Sequence, residues 1–209
     1  MKRVLILDLD NTIYPVSSIA SDVFDSIFEL IDNELGANDQ QAAAQAKHEL
    51  TRRPYQQVAE EHGFSDELKT KGIELLRNLS YDKPMQWYPE YEVIRAINID
   101  KYLVTKGFKK LQNSKFKMLG IESDFKKCIV VDPEESPLNK KDIFAQIIAD
   151  NGYAVEEVLV VGDDPESEIK AAQELGIDTF LFDPANKHPH ANVTYRGKDY
   201  TRIQEIIER

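Results

Sequence analysis

The sequence predicts an α/β fold: a doubly wound parallel sheet interrupted by an inserted all-helical domain. Three observations carry this. Five short runs, at residues 4–7, 102–104, 128–131, 158–161 and 179–182, are rich in Val, Ile and Leu and do not alternate with polar residues. Strands buried on both faces of a parallel sheet read that way. Helical stretches separate the later runs, which is the alternation of βαβ units. Residues 16 to about 97 contain no clear buried strand, so a helical block of roughly 80 residues follows the first strand.

The elements follow in order. The first run leads straight into "DLDNTIYP". Ile19, Val23, Ile27, Leu30, Ile31 and Leu35 then recur at helical spacing. "NDQQAAAQAKHEL", residues 38–50, is strongly helix-forming, with 40–46 read as helix surface. "SDEL" at 65–68 can start another helix, with Leu68, Leu75, Leu76 and Leu79 available for its buried face. The chain returns through "YDKPMQWYPEY", whose two prolines punctuate a linker-like segment. The expected division is a core of 1–15 and 98–209 and a helical insertion of 16–97. Pro15, Pro84 and Pro89 limit the connections around residues 14–17 and 82–88, which suits a hinged lid. Beyond the second strand, residues 109–119 fit a helix that Gly120 stops. Asn139 can cap a helix running to about Asp150, with Ile143, Phe144, Ile147 and Ile148 on one face. Pro165 can occupy the first turn of a helix that ends at Gly176.

The formal net charge of −11 leaves no basic footprint, which argues against a general binder of nucleic-acid polymers or anionic membranes. A small phosphate ligand remains open, because it needs only local positive charge. Cys128 is the single cysteine, so no intramolecular disulfide is possible. It opens the apolar run "CIVV" and reads as a buried core thiol. No apolar run approaches the ~18 residues of a membrane span. The start "MKRVLILDLD" has too short an apolar stretch for a signal peptide. The expectation is a cytoplasmic protein.

In open α/β sheets, ligands bind at the carboxyl ends of the strands. Asp8 and Asp10 follow the first strand, and Thr105 and Lys106 follow the second. Lys140 and Lys141 open the helix after Asn139. Gly162, Asp163 and Asp164 follow the fourth strand, with Glu168 in the next turn. Unit charges ~4 Å apart interact by about 4 kcal/mol at an effective dielectric near 20. Converging acids at positions 8 and 163 would therefore raise one another's pKa or require a cation. A hard, oxygen-ligated ion such as Mg²⁺ resolves the conflict. A lysine and a threonine beside it are partners for a phosphoryl group.

These residues resemble the four motifs of the haloacid dehalogenase-like (HAD) hydrolase superfamily. "DLDNT" is similar to its first motif, DxDxT, and "YLVT", ending in Thr105, to its second. A lysine at a helix start, Lys140 in preference to Lys141, is similar to the third. "VLVVGDDPESE" resembles the fourth. The motifs occur in family order from Asp8 to Glu168, and the first and fourth together are the strong signal. The resemblance implies a Rossmann-like core with a helical cap inserted after motif one. It also implies a Mg²⁺-dependent phosphatase for small phosphorylated metabolites. Asp8 would be the nucleophile that forms an aspartyl-phosphate, and Asp10 the general acid and base. Asp8, Asp163 and the Asp10 backbone carbonyl would bind Mg²⁺, with Asp164 supporting it. Thr105 and Lys140 would grip the phosphoryl oxygens. "DLDNTIYP" further resembles the nucleotidase-like branch, which makes a nucleoside monophosphate the first substrate class; sugar phosphates and phosphoglycolate-sized acids stay open, as does oligomeric state. Three positions depart from the family pattern. "NKKDIF" lacks the common Lys-Pro, Lys106 stands where asparagine is frequent, and Glu168 where aspartate is.

Four alternatives compete. A dehalogenase would use Asp8 to attack carbon, but it needs neither an acid at position 10 nor a metal. A phosphomutase shares the motifs and returns the phosphoryl group. A phosphate-binding regulatory module would have lost turnover. A response-regulator receiver domain pairs similar residues, but it is shorter and has no helical insertion. The remaining polar residues read as bland: His48 and His62 as solvated, His188 and His190 as an exposed loop pair, and Trp87 and Tyr88 as either crevice lining or linker anchors.

Overall fold

The computed structural model describes residues 1–36, 39–50 and 53–209. In chain order its elements are β1 (Val4–Leu7), α1 (Ala20–Ile31), α2 (Gln40–Leu50), α3 (Tyr55–Glu61), α4 (Asp66–Asn78), α5 (Tyr91–Ala96), β2 (Asp100–Lys106) and α6 (Lys109–Leu119). They continue with β3 (Lys127–Val131), α7 (Lys140–Asn151), β4 (Val158–Gly162), α8 (Lys170–Gln173), β5 (Asp178–Phe182), β6 (Tyr195–Gly197) and α9 (Ile203–Glu208). A π-helical turn, Pro165–Ile169, leads into α8.

The chain divides into two compact units. One holds residues 1–15, 86–106 and 119–209, and the other 16–85 and 107–118. The expected division placed 86–97 with the helices and 107–118 with the sheet; the structure groups them the other way. Two anchors tie the first segment to the sheet unit. The Tyr88 N–H donates to the Ile13 carbonyl at 2.8 Å, and the Tyr88 ring packs against Phe182 with centroids 5.3 Å apart. Within this segment the Arg95 guanidinium lies over the Trp87 ring at 4.9 Å, and Tyr88 is the aromatic that anchors it to β5 and to the loop after β1. α6 joins the helical unit because Lys110 donates to the Asn78 carbonyl, and Ser114 accepts from the Tyr81 N–H.

The sheet unit is a six-stranded parallel sheet in the order β3-β2-β1-β4-β5-β6. β1 is fully buried, as its unbroken apolar run requires. Val4, Ile6, Val104, Val158, Val160, Phe144 and Ile147 share one core, which the apolar face of α7 covers. The cap expected of Asn139 forms, and Asp142 makes it a reciprocal capping box, while Gly152 ends α7 in the left-handed region. β3 lies at the sheet edge, so Cys128 is only half-buried; the expectation of a core thiol is corrected by that edge position. Burial still pushes its thiol up to about 11, ahead of the neighbouring Glu122 and Asp124 charges.

In the helical unit, Ile27, Ile31, Ala43, Ala46, Val58 and Leu68 build a separate core. Ala43 and Ala46 are buried, so residues 40–46 are not simply helix surface; with Leu50 they line one face of α2 on successive turns and enter the helical core. Residue 38, the expected start of that stretch, lies outside the described residues. Ser65 caps α4 by accepting the Leu68 N–H at 3.1 Å. His48 is exposed, but the His62 side chain is only 13 % exposed beside Glu49, a correction to its expected solvation.

Candidate active site

The sheet register assembles the site. Leu7 is level with Leu103 on β2 and Val161 on β4, so Asp8, Thr105 and Asp163 leave three adjacent strands at the same edge. β1 is also where strand order reverses: β2 and β3 run outward on one side, and β4 to β6 on the other. Side chains at such a switch point face an open crevice. The Asp8 N–H donates to the Val161 carbonyl at 3.0 Å, which keeps its backbone extended, and its side chain is buried.

The loop after Asp8 turns sharply. The Leu9 carbonyl accepts from the N–H groups of Thr12 and Ile13, and Asn11 adopts φ 56°. Asparagine tolerates this left-handed conformation better than most residues. Leu9, Ile13 and Tyr14 are fully buried and hold the turn in place. The buried Tyr200 hydroxyl donates to the Thr12 carbonyl at 2.6 Å, and the Thr12 hydroxyl reaches Asp163 at 3.4 Å. Asp10 is half-buried, and its carboxylate accepts from the Tyr14 hydroxyl.

Lys140, the first residue of α7, is buried and donates to Asp8 Oδ1 and to Glu168 Oε2, each at 2.7 Å. Lys141 instead pairs with Glu174 at the surface, which decides between the two candidates. A cation opening a helix works against the macrodipole; here two buried carboxylates compensate it. Glu168 is buried too, and its other oxygen accepts the Asp164 N–H at 2.8 Å. Gly162 makes room for it: a Cβ there would lie 2.1 Å from Glu168 Oε1.

Carboxylate oxygens of Asp8, Asp163 and Glu168 lie within 4.8 Å of one another. Burial pushes Asp8 up to about 7, with Glu168 and Asp10 adding to the rise and Lys140 opposing it. Burial, then Glu168, Asp8 and Asp164, push Asp163 up to about 9. Burial works against the Lys140 charge, but Asp8 and Glu168 outweigh it and hold its pKa above the usual value. One lysine against three carboxylates leaves surplus negative charge. An all-oxygen donor set with that surplus fits a hard divalent cation.

The sequence family of haloacid dehalogenase-like hydrolases matches residues 2–176. The chain belongs to that family. It is therefore a HAD-like hydrolase, and its four motifs lie inside the matched region. No curated protein sequence matches it. Solved structures share its fold. The HAD hydrolase YfnB from Bacillus subtilis, determined bound to magnesium, is 21% identical over 100% of this chain and 99% of its own, with a TM-score of 0.68. A HAD phosphatase from Thermococcus onnurineus is 20% identical over 99% and 98%, with a TM-score of 0.69. L-2-haloacid dehalogenase from Xanthobacter autotrophicus is 12% identical over 100% and 99%, with a TM-score of 0.62.

For this hydrolase the structure brings Asp8, Asp163 and Lys140 together, and Thr105, the last residue but one of the neighbouring strand β2, is buried. Asp164 stands apart from the cluster. It is exposed, and its carboxylate caps the following turn by accepting the Glu166 N–H at 2.9 Å. Lys106 is exposed. Glu168 and Tyr14 complete the site and were not among the expected site residues. Glu168 was legible as an acid in the turn after the fourth strand. Tyr14 gave no polar signal, because nothing in "NTIYP" says that its hydroxyl turns back to Asp10. His188 and His190 are exposed, as expected of that loop. No helix among the described residues is long and apolar enough to cross a membrane.

Proposed function

We propose that this hydrolase is a Mg²⁺-dependent phosphatase that cleaves small phosphate monoesters through an aspartyl-phosphate. The observation that carries this reading is the buried Lys140 held 2.7 Å from Asp8 in the three-carboxylate cluster, with Asp10 two residues on. Asp8 is the nucleophile: its carboxylate attacks phosphorus and the ester oxygen leaves. Asp10 protonates that leaving oxygen, then takes a proton from the water that hydrolyses the intermediate. Asp8, Asp163 and the Asp10 backbone carbonyl hold Mg²⁺, and Asp164 supports it from outside the cluster. The bound ion supplies positive charge against the phosphoryl oxygens and allows the buried carboxylates to stay ionised. Lys140 adds a second positive charge, and Thr105 a hydrogen bond. Glu168 positions Lys140.

Two features favour this reading over carbon–halogen displacement. That reaction has no use for an acid at Asp10 or for a metal, and it gives no reason to gather three carboxylates around one lysine. The substrate is a small phosphorylated metabolite, with a nucleoside monophosphate first and sugar phosphates or small phosphorylated acids next.

The test is a panel of phosphate monoesters from these classes, assayed with Mg²⁺ and with excess chelator. The expected result is phosphate release that needs Mg²⁺ and falls more than about 1000-fold in Asp8→Asn, at least about 4 kcal/mol of barrier. Turnover within about tenfold of wild type in Asp8→Asn, or undiminished in chelator, contradicts the mechanism. Isomer without free phosphate points to a phosphomutase.

A further inference from the structure

The Asp10 carboxylate does not stand alone in the loop. Tyr14 is fully buried, and its hydroxyl donates to Asp10 Oδ1. The two residues also form a backbone bridge, so phenol and carboxylate belong to one closed turn. The turn is fixed from several sides: by the Leu9 carbonyl, which accepts two N–H groups, and by Tyr88, which donates to Ile13. It is fixed as well by Tyr200, which donates to the Thr12 carbonyl. A phenol on so rigid a turn can hold a carboxylate in one plane. A flexible surface donor cannot.

We propose that Tyr14 is a positioning residue for proton transfer, orienting the Asp10 carboxylate toward the leaving-group oxygen. This rests on the assignment of Asp10 as general acid in the phosphatase reading. An acid must meet its proton acceptor with correct distance and direction, and misplacement of about 1 Å can cost about 100-fold in rate. The need for that acid depends on the leaving group. A nitrophenolate departs without a proton, whereas an alkoxide must receive one. The bland reading is a brace: the buried phenol satisfies its hydroxyl on the nearest acceptor and supports the loop. A brace affects every substrate alike, and a positioning residue affects alkyl esters most.

The experiment measures kcat/KM in Mg²⁺ for wild type and Tyr14→Phe on para-nitrophenyl phosphate, phenyl phosphate and an alkyl phosphate. This parameter reports events up to phosphoryl transfer, so it isolates the acid step from hydrolysis of the intermediate. Wild type establishes the base reading: if it releases phosphate from none of them, the phosphatase assignment itself fails. If wild type is active, Tyr14→Phe should lose at least about tenfold more on the alkyl ester than on the nitrophenyl ester. In the Asp10→Asn background it should add no further alkyl-specific loss. An equal loss across the series, or an additive loss in the double variant, overturns the proposal while leaving the phosphatase reading intact. If melting shows Tyr14→Phe unfolded, 3-fluorotyrosine placed at position 14 keeps the shape and strengthens the donor. The proposal then requires a shift of about twofold or more in the alkyl-to-nitrophenyl ratio, and an unchanged ratio overturns it.

Discussion

Lys140 lies between two buried carboxylates, so its removal leaves charges with no partner. Breaking one side of a buried ion pair typically costs about 3–5 kcal/mol. Lys140→Met should therefore lower the metal-free unfolding free energy by about that amount in urea denaturation, and should also abolish turnover. Lys141→Met, which loses only an exposed pair with Glu174, should change stability by less than about 1 kcal/mol. Equal effects of the two substitutions would contradict the assignment of Lys140. The sequence offered both lysines at a helix start. What separates them is a property of the fold: Lys140 follows the Asn139 cap directly and faces the sheet edge, whereas Lys141 turns toward Glu174. The pairing of Asp8 with Asp10 was legible because two acids directly after a buried strand have no packing role. The Tyr14 contact was not, because a turn's closure is set by backbone angles such as φ 56° at Asn11.

At the scale of elements, legibility followed burial. β1 matches its predicted run residue for residue, since four apolar residues bounded by charges admit one register. α6 and α7 match closely, because cap and stop residues mark their ends. β6 was missed: it is three half-buried residues at the sheet edge and carries no apolar run. α3 was missed because "YQQVAEE" is too short to show a period. The helix expected from Pro165 to Gly176 forms only in part: its first turn is π-helical with Ser167 outside helical angles, α8 ends at Gln173, and the π-helical turn presents Glu168 to Lys140. The Asn139 capping box sets where α7 begins, and so where Lys140 sits. Asn139→Ala should lower stability by about 1 kcal/mol in chemical denaturation. It should also lower kcat/KM more than a comparably destabilising substitution at an exposed helix end.

For the whole molecule, the buried acids link stability, pH and metal. Asp163 and Asp8 have pKa values raised from 3.8 to about 9 and about 7, in both cases first by burial. A carboxyl group whose folded pKa is raised contributes stability that is fully present below its unfolded pKa and lost as pH climbs through the folded value. The metal-free protein should therefore lose stability as pH rises from about 4 to about 9. A divalent cation binds the ionised forms, so the increase in melting temperature on adding Mg²⁺ should grow across the same window. An increase independent of pH would detach these carboxylates from metal binding. The central claim is that Asp8 forms a bond to phosphorus, and trapping that bond during turnover tests it most directly. With Mg²⁺ and a phosphate monoester that the enzyme turns over, rapid acid quenching followed by borohydride reduction should convert position 8 to homoserine, because borohydride reduces an aspartyl-phosphate and leaves a free carboxylate untouched. Enzyme quenched across a single turnover with position 8 unmodified, or with the phosphoryl group on another residue, would contradict it.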